Sequence, residues 1–278
     1  MRGIVIALCV ALSSHAQTTL HGDKLRIVIA GDVGNGTSRI AAGIATIGPI
    51  DAMIIPGDNI YPCGVRAKDD PHWSVLDPLA KLGVPLFPVL GNHDYCGNPD
   101  AEIGAPFPNW NFPAKQYVIR GDVADIVMID TQPYVEGHDE PAESFLRNAF
   151  GNDPKWRIVV GHHPVVSSGY HGYFPRRHVR RMRRLLPILR ELKADLYICG
   201  HDHHQELIEG HPRFLISGAG SEPVPPVVLR NSTIFPTNVP FREPFGFTLL
   251  EITATSLTIT FYDEHGVKRG GPFTTGMI

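Results

Sequence analysis

Six short apolar runs mark the first two hundred residues, and five of them stop at a glycine followed at once by acidic, amide or imidazole side chains. They are LRIVIA before Gly31-Asp32, AMIIP before Gly57-Asp58, PLFPVL before Gly91-Asn92-His93-Asp94, RIVV before Gly161-His162-His163, and LYIC before Gly200-His201-Asp202-His203-His204; the sixth, IVMID, ends at Asp130. Runs that are apolar throughout, rather than alternating, read as strands covered on both faces, so helices must lie outside them. A sheet of this kind carries its chemistry at the strand ends.

The segments between the runs supply those helices, with candidates at 38–47, 72–82, 142–150 and 176–193. In the last, Val179, Met182, Leu185, Leu186, Leu189 and Leu192 recur at helical spacing and give one face to the core. Pro187 should kink or restart that helix. The same segment carries Arg176, Arg177, Arg180, Arg181, Arg183 and Arg184, which read either as a solvated face or as an anion-attracting rim. Beyond residue 205, apolar runs at 213–216, 245–252 and 257–262 read as antiparallel strands finishing a second sheet. The expectation is one α/β domain over 23–278, with two mixed β-sheets packed face to face and helices on the outer faces.

A 43% hydrophobic content and a net charge of −3 are ordinary for a globular chain, and no global basicity points to a nucleic-acid-binding module. The first residues, MRGIVIALCVALSSHA, combine Arg2, an apolar stretch from Ile4 to Leu12, and small residues at Ser14 and Ala16. That pattern is a signal peptide over 1–16 cleaved before Gln17, with a buried N-terminal element as the alternative. No other stretch reaches the roughly 18 apolar residues of a membrane span. The mature chain is therefore expected to be secreted or periplasmic, and monomeric. Export permits disulfides. Of Cys63, Cys96 and Cys199, the first two lie just past strand ends and the third closes an apolar run, so a Cys63–Cys96 bridge is expected, with three unpaired thiols as the alternative.

Each strand-end motif alone is a turn or a cap. Together they present Asp32, Asp58, Tyr61, Asn92, His162, His201 and His203 at one sheet edge. Hard oxygen donors and imidazoles in that number make a metal site. They exceed the three protein ligands of a catalytic zinc and suit two ions sharing a carboxylate, the arrangement that serves phosphate-ester hydrolysis.

Here the chain resembles the purple acid phosphatases within the calcineurin-like metallophosphoesterases, through GDVG, GDNIY, GNHD, VVGH and GHDH in that order. HHPVVSSGYHG, LYICGHDHHQEL, FLISGAG, GFTLLEI and LTITFYDEHG are similar to the small, mammalian-type branch, the tartrate-resistant acid phosphatases. The resemblance implies a four-layer sandwich and a binuclear centre, one ion held by Asp32, Asp58, Tyr61 and His203, the other by bridging Asp58, Asn92, His162 and His201. It implies Fe(III) on the Tyr61 phenolate, which colours the family purple, and Fe(II), Zn(II) or Mn(II) in the second position. The activity implied is hydrolysis of phosphomonoesters by a metal-activated hydroxide, as an acid phosphatase, with His93 facing the phosphate and His171 near the leaving group. Tyr170 and His163 stand where that branch usually has Glu and Tyr, and His163 reads as a wall of the site. Asp94 reads as a loop-fixing residue, Asp130 as structural, and Asn231-Ser232-Thr233 as a glycosylation sequon. Two rival functions stand beside this one: a Mn- or Zn-dependent phosphodiesterase or nucleotidase, and a non-catalytic metal-binding protein of the same fold.

Overall fold

The computed structural model describes residues 18–104, 107–138, 140–151, 153, 155–222, 233–234 and 245–277. The leader, and Asn231 and Ser232 of the sequon, lie outside the described residues. In chain order the strands are β1 (Thr18–Leu20), β2 (Lys24–Ile29), β3 (Ala52–Ile55), β4 (Leu86–Pro88), β5 (Tyr117–Gly121), β6 (Ala124–Met128) and β7 (Trp156–Val160). After them come β8 (Leu196–Cys199), β9 (Gln205–Ile208), β10 (Arg213–Ser217), β11 (Thr233–Ile234), β12 (Gly246–Thr253), β13 (Ser256–Asp263) and β14 (Lys268–Gly276).

They form an eight-stranded sheet in the order β1-β5-β6-β7-β8-β10-β9-β11 and a six-stranded sheet in the order β14-β13-β12-β2-β3-β4. Both are mixed. The strands that lead into the polar motifs are parallel within each sheet, β2-β3-β4 in one and β6-β7-β8 in the other. Parallel pairing brings their carboxyl ends to a common edge, which is what gathers motifs more than a hundred residues apart.

Side-chain alternation along these strands separates two apolar layers. Ile126, Met128, Ile158, Val160, Leu196, Ile198 and Leu215 enter the core shared with β2, β3 and β12. Their neighbours Val127, Ile129, Val159, Tyr197, Cys199, Phe214 and Ile216 turn to the opposite side, where Leu146, Met182, Leu185 and Leu189 of the helices cover them. A sheet coated on both faces explains why these runs lack polar residues. Trp156, 1% exposed at the start of β7, donates its indole N–H to the Thr253 carbonyl at 2.7 Å and so ties the eight-stranded sheet to the end of β12.

The run at 213–216 departs from expectation. As β10 it joins the eight-stranded sheet, parallel to β8 and antiparallel to β9, and it is β12 and β13 that extend the second sheet. The run encodes a strand, but its sheet is decided by the partner it meets in space. The helix expected over 176–193 is two helices, Arg176–Met182 and Leu185–Glu191, with the break before Pro187. Restarting at Leu185 puts Pro187 in the first turn, where its missing N–H has no intrahelical partner to lose. The segment at 72–82 is a 3-10 turn, Pro71–Leu76, followed by the short helix Asp77–Ala80. Unforeseen β14 carries KRGGPFTTG; at the sheet edge it pairs with β13 alone, a position that tolerates proline.

Candidate metal centre

Three of the candidate ligands leave their strands in the same unusual way. Asp32, Asp58 and His201 have φ of 55°, 54° and 66°, and each follows a glycine at a strand end. Left-handed backbone costs a non-glycine residue about 1–2 kcal/mol, and such conformations persist where surrounding structure over-determines them, most often at functional sites. Here the surroundings are explicit. The Asp32 N–H donates to the Gly57 carbonyl at 2.9 Å, and the His201 N–H donates to both Asp32 carboxylate oxygens at 3.1 and 2.9 Å. The glycine is required in two neighbouring cases: a Cβ on Gly91 would lie 2.1 Å from Asp58 Oδ1, and one on Gly200 would lie 2.2 Å from Asp32 Oδ2.

The seven side chains converge in two groups that share Asp58. Tyr61 Oη lies 3.1 Å from Asp58 Oδ2, 3.2 Å from His203 Nε2 and 3.4 Å from Asp32 Oδ1. On the other side, His162 Nε2 is 3.1 Å from Asn92 Oδ1, 3.1 Å from His201 Nδ1 and 3.5 Å from Asp58 Oδ1. Asp58 therefore faces both groups with its two oxygens.

The proton count decides what fills these gaps. His162 Nδ1 sits 2.9 Å from the Pro56 carbonyl, an acceptor only, so its N–H is there and Nε2 offers a lone pair. That lone pair, the Asn92 oxygen and His201 Nδ1 can share at most one N–H among them. His203 Nδ1 likewise faces the Glu222 carbonyl at 2.9 Å, which turns Nε2 toward Tyr61 and Asp32. Buried oxygen and imidazole donors crowded this closely suit cations of the kinds expected from the sequence. The residues present fit a pair of metal ions.

Burial and neighbouring charges shift these groups in opposite directions. Burial raises the Asp32 carboxyl, opposed by the hydrogen bond with His203 and the charge of His162. Burial and the Asp32 and Asp58 charges drive the Tyr61 phenol far upward, so its phenolate needs a strong cation beside it. Burial pulls His203 down, but the hydrogen bond and charge of Asp32, the Glu222 carbonyl and the Asp58 charge together outweigh it, and the ring is pushed up to about 9. Burial and the neighbouring His163 and His162 push His201 well below the usual range.

His93 stands beside the first group. Its N–H donates to Asp58 Oδ1 at 2.9 Å, its Nδ1 meets the Pro62 carbonyl at 2.6 Å, and Nε2 lies 4.0 Å from Asp58 Oδ2. His171 packs against His201 with ring centroids 3.7 Å apart and the rings tilted by 40°, its backbone N–H donating to Asp202 Oδ1 at 2.9 Å. Burial, then His162 and His203, lower its pKa against the pull of Asp202, and its Nδ1 is buried without a hydrogen-bond partner among the described residues. His163 is buried, with Nδ1 2.8 Å from Thr131 Oγ1, yet also close enough to His162 and His201 to join a metal-binding group.

The supporting residues are where sequence reading was thin. Thr131 receives the N–H groups of His162 and His163, Asp202 receives Ser167 Oγ, and Glu206 binds His204 at 2.9 Å. Asp94 fixes its loop through the carboxylate, which accepts from the N–H groups of Gly91 at 2.8 Å and Asn59 at 2.9 Å. Asp130 takes a short hydrogen bond from the Tyr95 phenol.

Two predictions arise here. Cys63 and Cys96 are joined, with Cα atoms 4.9 Å apart, while Cys199 is free and buried. The bridge spans 33 residues and ties the Tyr61 loop to the Asn92 loop. Replacing both cysteines by serine should reduce unfolding free energy by about 3–4 kcal/mol, read by chemical denaturation; an unchanged midpoint would contradict it. The second concerns Glu102, whose Oε2 takes Asn59 Nδ2 at 3.0 Å beside Asp94. Burial, helped by the Asp58 charge and opposed by Asn59 and Asp94, pushes its carboxyl up to about 8. Between about 4.5 and 8 the folded chain keeps a proton that the unfolded chain releases, so stability should fall as pH rises through that window. Glu102→Gln should flatten the decline; a variant with the same pH slope would refute it.

The pattern of the calcineurin-like phosphoesterases matches residues 25–205, more than half of the chain, and the chain belongs to that family. Curated relatives carry the names purple acid phosphatase and tartrate-resistant acid phosphatase. Purple acid phosphatase 7 of Arabidopsis thaliana is 30% identical over 287 residues, 87% of this chain and 84% of the relative. Tartrate-resistant acid phosphatase type 5 of Oryctolagus cuniculus is 28% identical over 296 residues, covering 87% and 88%. Among solved structures, GAP50, the anchor in the inner membrane complex of Plasmodium, superposes with a TM-score of 0.71 at 26% identity over 91% of this chain and 88% of that one.

Proposed function

We propose that the protein is a two-metal acid phosphatase that hydrolyses phosphate monoesters. The observation that carries this is the pair of donor groups sharing Asp58, with His162 Nε2 and Asn92 Oδ1 on one side and Tyr61 Oη and His203 Nε2 on the other. Asp32, Asp58, Tyr61 and His203 would hold Fe(III), and Asp58, Asn92, His162 and His201 would hold Fe(II), Zn(II) or Mn(II). Two such ions supply positive charge against phosphoryl oxygens and acidify water. Purple acid phosphatase relatives support the reading.

The chain's own groups do the rest. Asp58 keeps the two halves in register, because its oxygens are fixed by the His93 N–H and by Tyr61 Oη. His93, its Nδ1 engaged by the Pro62 carbonyl, turns Nε2 toward the site, where it would face a phosphoryl oxygen gaining charge. His171 stands where it can protonate a leaving alkoxide. Its lowered pKa means that it carries that proton only in acid, so turnover that depends on it rises as pH falls. Exported location is part of the proposal and rests on the leader pattern and the Cys63–Cys96 bridge. Among the described residues no helix is long and apolar enough to cross a membrane.

The test is hydrolysis of 4-nitrophenyl phosphate across pH by metal-loaded protein. Turnover with an acid optimum supports the proposal; cleavage of diesters in preference to monoesters would favour the phosphodiesterase. A second reading, a non-catalytic protein on this fold, draws on the likeness to the Plasmodium anchor. Bound metal with no turnover on any phosphoester would establish it.

A further inference from the structure

Beside the metal centre the chain carries a positive groove that the phosphatase reading leaves unused. Arg176, Arg180 and Arg183 are exposed, and none forms an ion pair or a side-chain hydrogen bond among the described residues. With Gly172, Tyr173 and Val179 they line an open groove along the helix Arg176–Met182 and its end. The groove starts one residue from His171, which lines the recess formed with His201 and His203. Tyr170, which lines that recess, and Phe174 are 52% and 43% exposed, with ring centroids 5.5 Å apart. Among the described residues these two are the exposed large aromatics, and they meet each other.

These features match a ligand longer than a small monoester. From Arg176 to Arg183 the helix rises about 10 Å, the span of about three extended residues. Unpaired guanidiniums call for carboxylates or phosphates. An exposed aromatic pair beside the site, Tyr170 against His171 and Phe174, calls for apolar or planar groups next to the phosphate. A peptide offers both, whereas a bare polyphosphate leaves the aromatic pair without a partner. We propose that the groove is a substrate-selecting subsite for phosphorylated peptide segments with acidic residues on one side of the phosphoresidue. The phosphate sits at the metal centre, the adjacent side chain rests on Tyr170 and Phe174, and acidic residues about three to six positions away meet Arg176, Arg180 and Arg183. This rests on the phosphatase reading for the phosphate, but not for the groove.

The experiment compares two fluorescent twelve-residue peptides carrying a non-hydrolysable phosphonate in place of phosphoserine. One bears three glutamates at positions +3 to +6 and the other alanines. Binding to metal-loaded protein is read by anisotropy, and kcat/KM is measured on the matching phosphopeptides. Wild type should favour the acidic peptide about tenfold, with a preference that shrinks in high salt. The triple variant Arg176→Glu, Arg180→Glu, Arg183→Glu should lose or reverse that preference, and the single Arg180→Gln should reduce it partway. Tyr170→Ser should weaken both peptides together. Equal affinity of wild type for the two peptides, or an unchanged preference in the variants, would overturn the proposal. So would displacement of the acidic peptide by long-chain polyphosphate or a single-stranded oligonucleotide at concentrations below those at which unlabelled peptide competes. If the acidic preference holds while 4-nitrophenyl phosphate is not turned over, the groove stands and the phosphatase reading fails.

Discussion

Asparagine in place of Asp58 will lower kcat/KM for aryl phosphate hydrolysis about a thousandfold, the upper end for loss of one preorganised charged group, and will drop metal content below two ions per chain. Asp58 reaches both donor groups, through Oδ2 to Tyr61 and Oδ1 toward His162. The amide keeps the shape and one acceptor, so the fold should survive. It removes the charge that two neighbouring cations would share. Elemental analysis alongside kinetics separates the causes: activity lost with two ions retained would assign Asp58 to positioning, and full activity with two ions would refute its bridging place.

His93→Ala should lower kcat about 10²–10³-fold with a smaller change in KM and unchanged metal content. The ring is locked by the Pro62 carbonyl at Nδ1 and packed edge-on against Tyr61 at 4.4 Å, so its free Nε2 has one direction to face. A group that acts on charge developing in the transition state shows in kcat. A variant that raised KM alone would make His93 a ground-state binding residue.

The metal-centre candidates were legible because their signal is local. Each lies within a few residues of a strand end, and a strand followed by glycine and a hard donor is visible in a short window. Asp32 and Asp58 could be listed that way, although their left-handed φ values could not. The supporting residues carry no such mark. Glu102 reaches Asn59 across 43 positions and Asp202 reaches Ser167 across 35, so nothing beside either residue in the chain announces its partner. Sheet membership failed for the same reason at Arg213–Ser217: periodicity specifies a strand, while its neighbours β8 and β9 are chosen by the packing of the whole chain. Pro187 was legible as a breaker, but the break falls before it, since a helix can absorb proline within its first turn.

The arginines of 176–184 divide in a way composition could not show. Arg181 turns inward to the Val135 carbonyl, whereas Arg176, Arg180 and Arg183 line the open groove. One basic run thus holds a structural residue and a candidate recognition surface.

The most direct test of the two-metal account is elemental analysis with a visible spectrum of purified wild-type protein and Tyr61→Phe. The account predicts two metal ions per wild-type chain, one of them iron, and a visible charge-transfer band that disappears in Tyr61→Phe as aryl phosphatase activity falls. Protein that holds no iron, shows no band and gains activity from Mn(II) alone would contradict the Fe(III)–Tyr61 assignment.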